Sequence, residues 1–197
     1  MLVFAQARLV ILSVPKTGTT ALETALGPSA DIWVQNPPDL KHAPVYRYNR
    51  FFRPMLERFV DAEMDVMAVM REPVSWLGSW WRYRQRPGME GHSKATHDIP
   101  FDDFVAACCQ GQRPAFADVG SQAKFLEPQK NGTRVTHLFR YEDPAPMMRF
   151  LSDRLERDVT TQRENVSPEM PMALSPATEA RFRRKHAEEF VLYDSIA

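Results

Sequence analysis

Three short apolar runs, each leading into a segment with helical spacing, most constrain how this chain can fold. The runs are 8–14 (RLVILSV), 65–70 (DVMAVM) and 134–139 (RVTHLF). Runs of this length without polar alternation are typical of strands that are buried on both faces. Because they alternate with helical segments, we predict an α/β fold of three layers, with a mainly parallel sheet flanked by helices.

The remaining elements are predicted from hydrophobic spacing and from Gly and Pro punctuation. A further short strand is expected at 32–34 and a loop at 85–100. The predicted helices lie at 19–26, 45–60, 73–83, 101–110, 121–127, 146–157 and 176–190. The N-terminal segment lacks a basic region and a small-residue cleavage site, so it is predicted to be the first strand. With no repeat or linker, residues 1–197 are expected to form a single domain.

Charge and cysteine usage exclude several classes of partner. The 25 basic and 25 acidic residues leave a formal net charge of zero, so no overall charge favours a nucleic acid or an anionic membrane, and no nucleic-acid partner is expected. No apolar run is long enough to cross a bilayer, so no membrane span is predicted. Cys108 and Cys109 are adjacent and poorly placed to pair, which fits a reducing, cytoplasmic compartment. The oligomeric state is left open.

The first candidate site is the turn PKTGTT, which lies between the first apolar run and the first helix. A helix start offers unpaired N–H groups and a positive dipole end, so it attracts phosphate-like anions. Gly18 permits close backbone approach, Lys16 adds a full charge, and Thr17, Thr19 and Thr20 add hydroxyl donors. The simpler alternative is a helix cap followed by threonines.

The same turn departs from the loop of nucleoside-triphosphate kinases and ATPases. That loop needs two glycines bracketing four residues and then Lys with Ser or Thr. Here Ser13 stands where its first glycine is expected, and Gly18 is followed by Thr19. These differences argue against a P-loop phosphotransferase.

The second candidate site is VMREPVSWLGS, at the end of the second apolar run. Arg71, at a strand end, can bind a phosphate through two parallel N–H donors of its guanidinium group. Pro73 suits the first turn of the following helix, and Ser79 can add a hydroxyl to the same anion. The alternative is an arginine that binds backbone carbonyls, with Ser79 on the surface.

Together, the two motifs resemble those of sulfotransferases that use 3′-phosphoadenosine 5′-phosphosulfate (PAPS), and the short chain is similar to small bacterial-type members. The turn KHAP at residues 41–44 resembles the carbohydrate-modifying group of the same family. The resemblance implies a P-loop-like sulfotransferase fold in which Lys16 is catalytic. It implies that the 5′-phosphosulfate is held by Lys16, Thr17, Gly18, Thr19 and Thr20. It also implies that Arg71 and Ser79 hold the 3′-phosphate of PAPS and of its product, 3′-phosphoadenosine 5′-phosphate (PAP).

The general base must come from elsewhere in the chain. His42, in the turn KHAP, is the first candidate, because some relatives of the carbohydrate-modifying group use a histidine and its ordinary pKa suits proton abstraction. Asp39 and Glu23 are the rivals. Since the transferred group carries one negative charge, no metal is required, and His92 and His97 lack a metal-binding spacing.

The function expected from the resemblance is transfer of the sulfuryl group of PAPS to an acceptor hydroxyl. The acceptor can be a carbohydrate, a lipid head group or another small molecule. The alternative is a non-catalytic nucleotide-binding or interaction module on the same fold, although mere binding would not need Lys16.

Arg82, Arg84 and Arg86 are expected to form a solvated basic helix end, and Ser121 and Gln122 are only weak candidates for the site.

Overall fold

The computed structural model describes residues 1–161 and 170–196. Its strands are β1 (Leu2–Phe4), β2 (Leu9–Ile11), β3 (Ile32–Trp33), β4 (Asp65–Met70) and β5 (His137–Arg140). Its α-helices are α1 (Thr19–Leu26), α2 (Pro38–Lys41), α3 (Val45–Arg47), α4 (Arg53–Val60), α5 (Pro73–Tyr83), α6 (Phe101–Cys108), α7 (Gln122–Phe125), α8 (Pro144–Arg154), α9 (Pro176–Lys185) and α10 (Ala187–Asp194).

The strands form one mixed sheet in the order β3-β1-β2-β4-β5. Strand β4 pairs in parallel with β2 and β5, whereas β1 pairs antiparallel with β2 and β3. The prediction of an α/β fold is confirmed, but the sheet is mixed and not mainly parallel. The parallel part consists of the three predicted apolar runs, and their carboxyl ends lie at the same edge.

The N-terminal segment accounts for the antiparallel part of the sheet. It was predicted to be one strand, but it forms a hairpin in which Leu2 pairs with Ile11 and Phe4 with Leu9. The chain turns at residues 5–8, where the N–H of Arg8 donates to the carbonyl of Ala5 at 3.0 Å. Arg8 takes a φ of 49°, the left-handed conformation that such a tight turn requires.

Most predicted helices are present, with two differences. The predicted helix at 45–60 comprises α3, a wider π-helical stretch at Tyr48–Phe52, and α4. The predicted helix at 176–190 is divided into α9 and α10 at His186, whose φ of −123° and ψ of 42° lie outside the helical range. Within the described residues, no helix is both long and apolar enough to span a membrane.

The chain divides into two compact units, and each has its own apolar cluster. Of the described residues, the first unit holds 1–71, 122–161 and 196, and the second holds 72–121 and 170–195. The cluster of the first unit packs β1, β2 and β4 against α1 and α8, with Leu9, Met67 and Leu151 almost fully buried. The prediction of a single domain stays a prediction.

The second unit is built around α5, α6, α9 and α10. Its cluster includes Trp76, Phe104, Phe182 and both cysteines. Cys108 and Cys109 are free thiols, as predicted, and burial raises the pKa of Cys108 to about 12. A thiol with such a pKa is protonated at neutral pH, so Cys108 acts as a packing residue.

Candidate functional site

The turn at residues 14–20 connects β2 to α1 at the carboxyl edge of the parallel strands. Lys16 and Gly18 both have left-handed backbone conformations, with φ of 68° and 73°. Helix α1 begins at Thr19, directly after Gly18. The backbone of the turn therefore continues directly into the N-terminus of α1, an arrangement that is typical of anion-binding sites.

The three threonines of this turn differ in their surroundings. Thr17 is buried, and its hydroxyl donates to the carbonyl of Val14 at 2.9 Å. Because that bond uses the hydroxyl proton, Thr17 shapes the turn, and its backbone N–H is the donor left for an anion. Thr19 is buried in the first turn of α1, whereas Thr20 is exposed.

Arg71 follows the last residue of β4 and lies next to this turn. Its Nη1 is 3.5 Å from the carbonyl oxygen of Lys16, a long hydrogen bond. Its guanidinium carbon lies 4.4 Å from the centre of the Tyr141 ring, in a cation–π arrangement. The two sequence motifs, 55 residues apart, thus meet in the first unit.

Tyr141 lies against the glycine of the same turn. A Cβ placed on Gly18 would be 3.0 Å from Cε2 of Tyr141, closer than side chains normally approach. The backbone N–H of Tyr141 donates to the carbonyl of Met70 at 2.8 Å, which holds it at the end of β5. Gly18, Arg71 and Tyr141 therefore form one compact group.

The main chain of Arg71 is held by the fully buried side chain of Gln122. The N–H of Arg71 donates to Oε1 of Gln122 at 3.0 Å, and Nε2 of Gln122 donates to the carbonyl of Arg71 at 2.8 Å. The amide thus replaces a neighbouring strand where the ladder of β4 ends. Gln122 fixes the point from which the guanidinium projects.

His42 is hydrogen-bonded to Ser13, which lies between β2 and the turn. Its Nδ1 is 2.7 Å from the carbonyl oxygen of Ser13. A carbonyl only accepts hydrogen bonds, so Nδ1 carries the proton and a neutral ring keeps its lone pair on Nε2. Burial lowers the pKa of His42, which favours this neutral form near pH 7.

The two rival bases have other surroundings. Glu23 is buried and is the centre of a polar network: it accepts from the hydroxyl of Ser13 at 2.8 Å and pairs with Lys41 at 2.6 Å. The amino group of Met1 lies 3.7 Å from the same carboxylate. Asp39 is fully exposed on α2 and lies 3.7 Å from Arg47. Glu23 is thus engaged structurally, and Asp39 faces water.

The remaining candidates belong to the second unit. Ser79 is buried in α5, so the alternative of a surface serine is wrong. The expectation of a solvated basic helix end is also wrong for Arg84. That side chain is buried, and its guanidinium donates to the carbonyls of Ala115, Phe116 and Asp118. Arg86 is exposed, and its guanidinium lies 3.8 Å from the centre of the Tyr83 ring.

Two residues of the site were underestimated or missed from the sequence. Gln122 was a weak candidate because a glutamine in the first turn of a helix carries no pattern of its own. Tyr141 lies in the segment FRYED at residues 139–143, which resembles an acidic turn of the same sulfotransferases but fits equally well a strand end that caps the next helix. In the part of the chain that the structure describes, no cluster of three or more His, Cys, Asp or Glu residues could hold a metal ion.

Comparison with known proteins adds no relative. No protein-family model matches this chain, and no curated protein matches it either.

Proposed function

We propose that this protein is a PAPS-dependent sulfotransferase that transfers the sulfuryl group to a hydroxyl of a small-molecule, carbohydrate or lipid acceptor. One observation carries the proposal: the guanidinium of Arg71 lies 3.5 Å from the carbonyl of Lys16, so the two anion-binding motifs are adjacent. A nucleotide with phosphates at both its 3′ and 5′ positions needs two such neighbouring groups. The proposal includes the P-loop-like sulfotransferase fold and a cytoplasmic location.

The turn at residues 14–20 fits the 5′-phosphosulfate. Gly18 lacks the Cβ that would fill the space beside Tyr141, and the first turn of α1 supplies N–H donors. Lys16 supplies the full positive charge. PAPS brings an activated sulfuryl group, and Lys16 stabilises the negative charge that develops on the phosphate as the bond from sulfur to the bridging oxygen breaks.

Arg71 fits the 3′-phosphate. Its main chain is held by two hydrogen bonds from Gln122, and its guanidinium lies over the Tyr141 ring. These contacts favour one orientation of the guanidinium N–H donors. A held guanidinium loses little conformational freedom when it binds a phosphate. Ser79 remains a predicted second donor to this phosphate.

His42 is the proposed general base. The bond from Nδ1 to the Ser13 carbonyl leaves Nε2 as the atom that accepts the proton. As the acceptor oxygen forms its bond to sulfur, its proton moves to Nε2, and PAP leaves with the bridging oxygen. Charge and atoms balance in this step without a metal ion.

Ligand-induced thermal shifts and transfer of label test the proposal together. PAP should stabilise the protein, and ADP and ATP, which lack the 3′-phosphate, should do so much less. Radiolabelled PAPS should pass label to a member of a panel of hydroxyl acceptors, and Lys16→Ala should abolish that transfer while it retains PAP binding. Equal shifts with all three nucleotides would refute the assignment of the 3′-phosphate. A PAP-specific shift without transfer to any acceptor would instead favour the non-catalytic binding module.

A further inference from the structure

The helical segment at residues 45–60 exposes large apolar side chains on one face. Phe51, Met55 and Phe59 follow each other at four-residue spacing, and they are 60%, 40% and 85% exposed. Side chains at this spacing lie on the same face of a helix. Isolated exposed apolar residues are ordinary, whereas an exposed apolar face along consecutive helical turns is typical of an interaction surface. These three side chains are called the ridge below.

The segment that carries the ridge is anchored by buried side chains. The neighbouring face of the segment carries Tyr48 and Leu56, which are 1% and 4% exposed. Arg53 on α4 pairs with Glu57 at 2.7 Å, so these two charges are already satisfied. The ridge is therefore exposed beside a face of the same segment that is buried in the first unit.

Two arginines stand directly before the phenylalanines of the ridge. Arg50 precedes Phe51, with its guanidinium 5.3 Å from the ring centre, and Arg58 precedes Phe59. Among the residues that the structure describes, neither arginine has a carboxylate within 4.0 Å. Their charge is therefore available to an anionic partner, although the chain as a whole has no net charge.

We propose that the ridge is a docking surface for an anionic lipid bilayer, on which the segment lies in the plane of the interface. Phenylalanine and methionine side chains enter the boundary between head groups and acyl chains, and arginines beside them extend to the phosphates. The charges of Arg50 and Arg58 favour this occupant over an uncharged apolar partner. This inference is independent of the proposed sulfotransferase activity.

Cosedimentation of the full chain with vesicles tests the proposal. Vesicles of phosphatidylcholine with about a third phosphatidylserine should bind the protein about thirty-fold more tightly than pure phosphatidylcholine vesicles, since each arginine near the surface contributes a few-fold. Raising the salt concentration should reduce this preference, because the arginine charges are screened. Binding to neither vesicle, or equal binding to both, would overturn the proposal.

Three variants separate the contributions. The double variant F51S/F59S should weaken binding to anionic vesicles at least about tenfold, because it removes the apolar part of the ridge. R50Q/R58Q should remove the preference for anionic vesicles. The matched control V191S changes a residue of α10 that is 70% exposed and should bind like the unchanged protein. All four proteins should have the same circular dichroism spectrum.

Light scattering tests the competing possibility that a second copy of the chain covers the ridge. A concentration-dependent dimer that F51S/F59S dissolves would assign the ridge to a second copy of the chain and overturn the lipid proposal. A monomer at all concentrations, together with the vesicle preference above, supports it. Vesicle binding that F51S/F59S leaves unchanged would likewise overturn it.

Discussion

The side-chain amide of Gln122 forms two hydrogen bonds with the main chain of Arg71, one to each of its polar groups. It donates to the carbonyl at 2.8 Å and accepts from the N–H at 3.0 Å, and it is completely buried. Because Arg71 stands where the ladder of β4 ends, these bonds fix the direction in which its guanidinium leaves the sheet. The amide is a positioning group for the proposed 3′-phosphate site.

Gln122→Leu should therefore lower both stability and nucleotide affinity. The substitution leaves the N–H and carbonyl of Arg71 without these partners, and each such group costs about 1–3 kcal/mol. We expect the free energy of unfolding, measured by urea denaturation, to fall by about 2–4 kcal/mol. PAP affinity of the folded variant should fall at least about tenfold.

A matched control separates this effect from the loss of any glutamine. Gln112 is exposed, so Gln112→Leu should change the free energy of unfolding by less than about 0.5 kcal/mol and leave PAP affinity unchanged. If the two variants behave alike, Gln122 does not position Arg71.

Gly18→Ala should be more harmful than Gly91→Ala, although both glycines have a φ of 73°. An alanine at either position carries the same backbone penalty, about 1 kcal/mol. At Gly18 its Cβ would also be 3.0 Å from Cε2 of Tyr141, whereas nothing lies within 4 Å at Gly91. Thermal melting and PAP titration should both show the larger loss for Gly18→Ala, and adding Tyr141→Ala should restore part of the loss in melting temperature.

Two outcomes of the comparison between Gly18→Ala and Gly91→Ala would count against the proposed site. Equal losses in both glycine variants would mean that the approach of Tyr141 to the turn has no energetic effect. Unchanged PAP affinity in Gly18→Ala would remove the turn from the nucleotide site.

The sequence predicts the elements of the site better than it predicts their contacts. The bounds of α1, β4 and α5 follow from apolar runs ended by Gly and Pro, which are local signals. The N-terminal hairpin was missed because MLVF and RLVILSV read as one apolar segment unless the turn at residues 5–8 is recognised. Tertiary hydrogen bonds such as those of Gln122 and Arg84 leave no periodic pattern, so only the structure reveals them.

The candidate base illustrates the same limit. The turn KHAP drew attention to His42, but its bond to Ser13 joins residues 29 apart in sequence. Glu23 was a rival as an isolated carboxylate. Its contacts with Ser13, Lys41 and Met1 depend on the pairing of β1 with β2, which the sequence did not predict.

Stability should depend on pH through His42. Burial lowers its pKa below the ordinary value of 6.5, so at mildly acidic pH the unfolded chain binds a proton that the folded chain resists. The free energy of unfolding should therefore fall as the pH decreases from about 7 towards the lowered pKa. The hydrogen bond to the Ser13 carbonyl and the charge of Glu23 oppose this lowering of the pKa, whereas the charge of Lys41 acts in the same direction as burial.

The variant His42→Gln isolates this contribution. Glutamine keeps a donor for the Ser13 carbonyl but does not titrate, so the loss of stability between pH 7 and pH 5 should be smaller than in the unchanged protein. Urea denaturation at several pH values measures the slope. An identical pH dependence in both proteins would show that His42 is not held in its neutral form.

In the proposed site, Arg71 recognises a 3′-phosphate while the turn around Lys16 holds the 5′ end of the same nucleotide. Isothermal titration of PAP and of AMP, which differ only in the 3′-phosphate, measures the contribution of Arg71 to this recognition. In the unchanged protein and in the control Arg149→Ala, an exposed arginine of α8, PAP should bind about 10–100-fold more tightly than AMP. In Arg71→Ala the two nucleotides should bind almost equally, with AMP affinity little changed. A preference for PAP that survives Arg71→Ala, or its absence from the unchanged protein, would contradict the account.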